Sequence, residues 1–92
     1  MAIIHIPTPL RAFTDSHASV DVEGATVGEA LAALTGRHPG LLKHLRDGEG
    51  KLRSFVNVYV GDEDIRYLDR EATTLGAGAE ITIVPSIAGG AA

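Results

Sequence analysis

The end of the chain carries the residues whose types and spacing best suit a chemical role. The sequence of 92 residues finishes with Ile87-Ala88-Gly89-Gly90-Ala91-Ala92. Because glycine has no side chain and adopts dihedral angles closed to other residues, two glycines in series form a thin, adaptable segment. Such a segment suits passage through a narrow channel of a partner protein. Taken alone, however, these small residues favour a frayed terminus, so the chemistry depends on the elements that precede them.

The other reactive residue types form no comparable pattern. The sequence has no cysteine, which excludes disulfides, thiolate metal sites and a thiol nucleophile. The three adjacent carboxylates at 62–64 lack the alternation of a calcium loop, so we expect a solvated turn there. The histidines lack metal-ligand spacing, and we expect solvated surface positions for all four: His5, His17, His38 and His44. The sequence therefore predicts no metal site.

Composition and charge narrow the class of protein. Hydrophobic residues make up 45% of the chain, which is typical of a folded domain. The net charge is −4, and an acidic surface repels nucleic acid. No apolar run approaches the length of a membrane span, and the first residues lack the features of a secretory signal. We expect a cytoplasmic protein that binds neither nucleic acid nor membranes.

Hydrophobic periodicity predicts the elements that would position the tail. Alternation of period two predicts strands at 2–6, 18–23, 55–60 and 79–84, with a short strand or extended piece at 65–68. Thr26 and Glu29 have the spacing of a capping box. The residues after Thr26 recur on one helix face at Val27, Ala30, Leu31 and Leu34. A further short helical turn is predicted at 41–45.

This order of elements predicts an α+β fold of the β-grasp type. A hairpin is followed by one main helix across one face of a mixed sheet, and the first and last strands become neighbours. We expect a domain over residues 1–86 and a flexible C-terminal tail over 87–92. The open sheet face would offer Phe55, Tyr59 and Val84 as anchors for a partner. Packing of the aromatic side chains beneath the loop at 36–54 is the alternative.

Two segments resemble the MoaD/ThiS family of ubiquitin-like sulfur carriers. The first is GAEITIVPSIAGG at 78–90, in which a glycine-rich turn, an acidic residue, a β-branched strand, a proline and Gly-Gly follow in order. The second is RSFVNVYVGDEDIR at 53–66, which together with IPTPLR at 6–11 resembles the CysO branch, the carriers of cysteine biosynthesis. The resemblance covers nearly the whole chain.

The resemblance implies a carrier that is not itself an enzyme. An adenylating enzyme of the ThiF/MoeB type would use ATP to activate the carboxylate of Gly90, and sulfur would displace AMP to leave a thiocarboxylate. Gly89, Ala88 and Ile87 would thread into that enzyme. A PLP-dependent enzyme of the cysteine-synthase type would consume the thiocarboxylate. The resemblance implies no cofactor on the carrier, with PLP and zinc confined to partner enzymes.

The last two residues depart from this family. Its members usually end at the second glycine, whereas Ala91 and Ala92 follow it here. The resemblance therefore implies trimming by a zinc peptidase of the JAMM type. Homocysteine, siderophore thioacid, molybdopterin and thiamin pathways remain open beside cysteine synthesis. Two other functions also remain: a protein modifier joined through Gly90 to target lysines, and an interaction module with an inert tail.

Overall fold

A five-stranded mixed sheet forms the frame of the molecule. The computed structural model describes residues 2–53 and 56–85. The strands run in the spatial order β2-β1-β5-β3-β4, which is the predicted β-grasp arrangement. Their bounds are β1 Ala2–His5, β2 Ser19–Val22, β3 Val56–Val60, β4 Glu63–Asp64 and β5 Glu80–Pro85.

The first and last strands lie side by side, as the sequence predicts. β1 pairs with β2 as an antiparallel hairpin and with β5 in parallel, Ile4 facing Ile81. β5 is antiparallel to β3 along its other edge. The final strand therefore occupies the centre of the sheet, where both neighbours hold its backbone.

One main helix, α1 (Val27–Arg37), crosses one face of the sheet. The predicted capping box is present in part. Thr26 Oγ1 accepts from the Glu29 N–H at 3.3 Å, but Glu29 Oε1 accepts from the N–H of the preceding residue, Ala25, at 3.0 Å rather than from that of Thr26. The helix passes through Gly36 and ends before Pro39, a residue type that disfavours helical dihedrals in the residue before it. At its start, a Cβ added to Gly24 would lie 2.7 Å from Ala30 N, so only glycine permits this close approach.

The core lies between α1 and the sheet. The predicted inward residues of the strands and helix are buried except Val60, which is only partly buried against the core. The short helix α2 (Leu42–Leu45) buries Leu45. The most deeply buried side chains include Ile4, Ile6, Val22, Val27, Leu31, Leu34, Leu41, Leu45, Val58, Ile81 and Ile83. No helix in the described part of the chain is long and apolar enough to cross a bilayer.

Two connections differ from the sequence prediction. Residues 8–13 form a 3-10 helix that buries Leu10, whereas no element was predicted there. The piece at 65–68, predicted as a short strand or extended, begins instead as a 3-10 turn over Ile65–Tyr67. The cause is Asp64, whose side chain accepts from the Arg66 N–H at 2.8 Å and thereby caps the turn.

The acidic segment at 62–64 is only partly the solvated turn that the sequence predicts. Gly61 takes a positive φ of 61° at the first turn position, a conformation that favours glycine in two-residue hairpin loops. Glu63 and Asp64 then form β4 against β3. Asp64 is only 8% exposed, so the expectation of a solvated side chain is wrong for this residue.

Candidate functional site

The structure describes the chain as far as Pro85, just before the predicted C-terminal tail. β5 ends at Pro85, which faces Val56 at the start of β3, and Ile83 just before this end is 1% exposed. The predicted threading, reactive and trimmed residues lie outside the described residues: Ile87, Ala88, Gly89, Gly90, Ala91 and Ala92. From Pro85, the five residues 86–90 span at most about 18 Å when fully extended.

The base of the tail borders the open face of the sheet. Because side chains alternate along a strand, Val84 faces away from the core that buries Ile83, and it is 41% exposed. Val84 lies opposite Asn57 of β3, and Tyr59 lies opposite Thr82 of β5. The structure thus brings Val84 and Tyr59 to the same face, on the neighbouring strands β5 and β3. The third predicted contact, Phe55, lies outside the described residues.

Tyr59 does not pack beneath the loop at 36–54. That loop buries Leu41 and Leu45 in the core on the helix side of the sheet, whereas Tyr59 follows the buried Val58 and points to the other face. There the half-buried ring of Tyr59 lines a shallow cleft together with Tyr67. The role of the open face as a partner surface stays a prediction.

A polar network at the edge of this face holds the cleft in place. Asp64 and Arg66 form an ion pair with Nη2–Oδ2 at 2.7 Å, and the same Nη2 donates to Asn57 Oδ1 at 2.6 Å. The side-chain and backbone hydrogen bonds from Arg66 lower the pKa of the Asp64 carboxyl and keep it ionised. The network joins β3, β4 and the following 3-10 turn, so Tyr59 sits on a fixed edge.

The opposite part of the open face carries a second polar pair. His5 Nε2 and Glu80 Oε1 lie 2.8 Å apart, joining β1 to β5. Both side chains are exposed at the surface, so the pair contributes little stability. Together with Val84, these residues give an open face that is polar at both sides and apolar near the base of the tail.

Sequence reasoning missed the network around Arg66 and the exposure of Tyr67, which reaches 86%. A local signal for the contact between Asp64 and Arg66 was present. An aspartate side chain often accepts a hydrogen bond from the backbone N–H two residues later and so stabilises a turn. Nothing local pointed to Asn57, since its contact with Arg66 depends on the pairing of β3 with β4. Among the described residues, no three histidine or carboxylate side chains group as a metal ion would require.

Comparisons with known proteins place the chain in one family of small carrier and modifier proteins. The sequence matches the profile of the ThiS family over residues 4–90. It is 40% identical over 89 residues to the sulfur carrier protein CysO of Mycobacterium tuberculosis, covering 95% of this chain and 96% of that one. It is also 42% identical over 72 residues to small archaeal modifier protein 1 of Haloferax volcanii, covering 77% of this chain and 78% of that one.

Solved structures of the same class have the same fold. The crystal structure of M. tuberculosis CysO superposes with a TM-score of 0.86 at 38% identity, covering 94% of this chain and 99% of that one. A CysO of Amycolatopsis orientalis, crystallised in a complex with BexX, superposes with a TM-score of 0.87 at 38% identity, covering 94% and 96% of the two chains.

Proposed function

This chain belongs to the ThiS family, and on that premise we propose that it carries sulfur as a thiocarboxylate on Gly90. One observation supports Gly90 in particular: the family match runs through residue 90 and leaves out Ala91 and Ala92. Homology to CysO sulfur carriers over 95% of the chain supports the same role. The reactive form would then be produced by removing the two alanines, and a zinc peptidase of the JAMM type suits that task.

The chemistry requires an activating partner. A carboxylate is a poor acyl donor, so an adenylating enzyme of the ThiF/MoeB type would join the Gly90 carboxylate to the α-phosphate of ATP and release pyrophosphate. A sulfur nucleophile would then displace AMP, leaving the terminal thiocarboxylate. ATP is consumed on the partner, and the carrier supplies only its acyl terminus. It is therefore a co-substrate of these enzymes and binds no cofactor of its own.

The folded domain would position the C-terminal tail on the partner. The central strand β5 holds the tail at Pro85, and Val84 and Tyr59 on the open face, with Phe55, would dock on the partner. Ile87, Ala88 and Gly89 would thread through the partner to bring Gly90 to the nucleotide. Glycine at 89 and 90 fits because the channel must admit backbone without side chains.

The product would be used in sulfur metabolism in the cytoplasm, where ATP is available. Cysteine synthesis by a PLP-dependent enzyme of the cysteine-synthase type is the pathway that we propose, on the ground of the likeness to CysO. That enzyme would supply the activated amino-acid acceptor, which the thiocarboxylate sulfur attacks. Hydrolysis would then release the amino acid from the carrier.

A second candidate is supported by the likeness to an archaeal modifier protein. The same adenylated Gly90 would then acylate a lysine of a target protein and form an isopeptide bond. The two functions share the fold, the tail and the first chemical step, and they differ in the nucleophile that takes the acyl group.

Intact-mass analysis of the untagged protein from its own host tests this proposal. We expect a species that lacks both alanines and carries sulfur in place of one oxygen, and we expect Gly90→Val to abolish the sulfur-bearing form while the fold persists. Branched peptides with Gly90 on target lysines would support the modifier instead. A chain that always ends at Ala92, even under sulfur starvation, would refute both.

A further inference from the structure

The helix side of the sheet is incompletely covered where β3 begins. The ladder between β3 and β4 joins only Tyr59 to Asp64 and Val60 to Glu63. Within the described residues, the short β4 therefore leaves the start of β3 without a strand neighbour on that edge. A groove of about 460 Å³ lies there. Its floor is apolar and is formed by Leu52, Val56, Val58 and Ile65.

Basic side chains surround this groove, which we call the basic groove. Four of the chain's eight lysine and arginine residues line it: Lys51, Arg53, Arg66 and Arg70. Only two carboxylates do so, and each has its own partner: Glu71 is held by Arg46 at 2.6 Å and Asp64 by Arg66 at 2.7 Å. Four basic minus two acidic residues leave two positive charges in excess, in a chain whose net charge is −4.

The basic groove lies beside the base of the tail. Val56 of its floor faces Pro85, the last described residue of β5. Because neighbouring strands lie about 4.8 Å apart, the groove lies about one strand spacing from Pro85. The groove therefore lies near the base of the tail and carries an excess of positive charge.

We propose that the basic groove docks an acidic segment of the enzyme that activates the C-terminus. This inference rests on the proposed function and adds a second contact to it. An apolar side chain of that segment would cover Val56 and Ile65, and its carboxylates would face Lys51 and Arg70. Charges at an interface rim govern the rate of encounter and the register of docking. The partner would then hold the base of the tail from both faces of the sheet.

The test measures adenylation of the chain ending at Gly90 by its activating enzyme, followed as ATP–pyrophosphate exchange. Lys51→Glu is compared with Lys43→Glu, an equally large charge change on another exposed lysine that does not line the groove. We expect Lys51→Glu to raise KM for the chain about threefold and the double variant Lys51→Glu/Arg70→Glu about tenfold, with kcat unchanged in both. The double variant should also flatten the salt dependence of kcat/KM, whereas Lys43→Glu should alter neither quantity.

The outcomes separate this inference from the proposed function. Equal KM values for all variants, with adenylation intact, would overturn the groove as a docking site and leave the carrier function standing. An unsubstituted chain that the enzyme does not adenylate would overturn both.

NMR spectra of the labelled chain with the activating enzyme give a second readout. We expect the amide signals of residues 50–53 and 70–71 to shift on binding. Shifts confined to the open face would overturn the inference. Shifts of the same amides when residues 86–92 are deleted from the free chain would identify the chain's own tail as the occupant and would also overturn it.

Discussion

The two faces of the sheet carry different kinds of surface, although adjacent residues of the same strands supply both. On the covered face, Val58, Ile81 and Ile83 are at most 2% exposed and pack against α1 and its connections. On the open face, Val84 is 41% exposed, and polar contacts such as that of Arg66 with Asn57 replace apolar packing. The first face supplies most of the packing that maintains the fold, and the side chains of the second can be substituted at little cost in stability.

This difference matters most at the end of β5. Ile83 anchors the strand in the core, and the next residue, Val84, is presented to solvent beside the base of the tail. Two adjacent residues therefore have different roles: Ile83 supports folding, and we assign Val84 to binding. Substitution of Ile83 should mainly lower stability, and substitution of Val84 should mainly weaken binding.

The largest effect should come from Ile83→Ala. Removing a buried isoleucine side chain leaves a cavity and costs about 2–5 kcal/mol of unfolding free energy, whereas the matched Val84→Ala should cost less than about 1 kcal/mol. Urea denaturation of both variants measures the difference. Similar losses for the two variants would contradict the assignment of opposite faces.

The next effect concerns the tightness of packing on the covered face. Gly24→Ala should destabilise the protein by about 1–3 kcal/mol, because its Cβ would meet the backbone of α1 at 2.7 Å. Gly36→Ala is the control, since open space surrounds that position and alanine favours helix by about 0.5–1 kcal/mol. Thermal unfolding should therefore shift in opposite directions for the two variants. A shift in the same direction would contradict the close approach at Gly24.

Partner binding should be affected mainly from the open face. We expect Val84→Ala and Tyr59→Ala each to weaken binding of the activating enzyme by about tenfold, since apolar and aromatic anchors near an interface centre carry much of the affinity. Leu42→Ala is the matched control, because Leu42 is similarly exposed at 49% on α2. Calorimetric titration measures the three affinities. A loss with Leu42→Ala alone would move the partner surface to the helix side.

The smallest effect should appear in the pH dependence of stability. Arg66 holds the pKa of Asp64 below its ordinary value, so the carboxylate stabilises the fold above the unfolded pKa of about 3.9 and loses that contribution as pH falls below it. Asp64→Asn should therefore flatten the loss of stability between about pH 5 and pH 2. The remaining slope should include Asp47, whose pKa is lowered by the N–H groups of Glu49 and Lys51. Identical slopes for both proteins would contradict the ion pair.

Prediction from the sequence succeeded mainly where the regular geometry of strands and helices sets a residue's environment. The inward positions of the strands and of α1 follow from periods of two and 3.6 residues, and these repeats are properties of the backbone itself. The capping box of Thr26 and Glu29 is likewise a contact within one turn. Prediction of a short strand or extended piece failed at 65–68, where the Asp64 side chain accepts from the Arg66 N–H and a 3-10 turn forms instead.

The amino-acid sequence by itself determined the α+β class, the order of the main elements and the resemblance that identified Gly90 as the candidate reactive residue, because these depend on local pattern and on motif. Only the tertiary structure decided which residues meet across strands. The contact of Arg66 with Asn57 and the clustering of Lys51, Arg66 and Arg70 around one groove require the register of β3 with β4 and the fold of the loops beside it. Such contacts depend on the packing of the whole chain, so no single segment of the sequence predicts them.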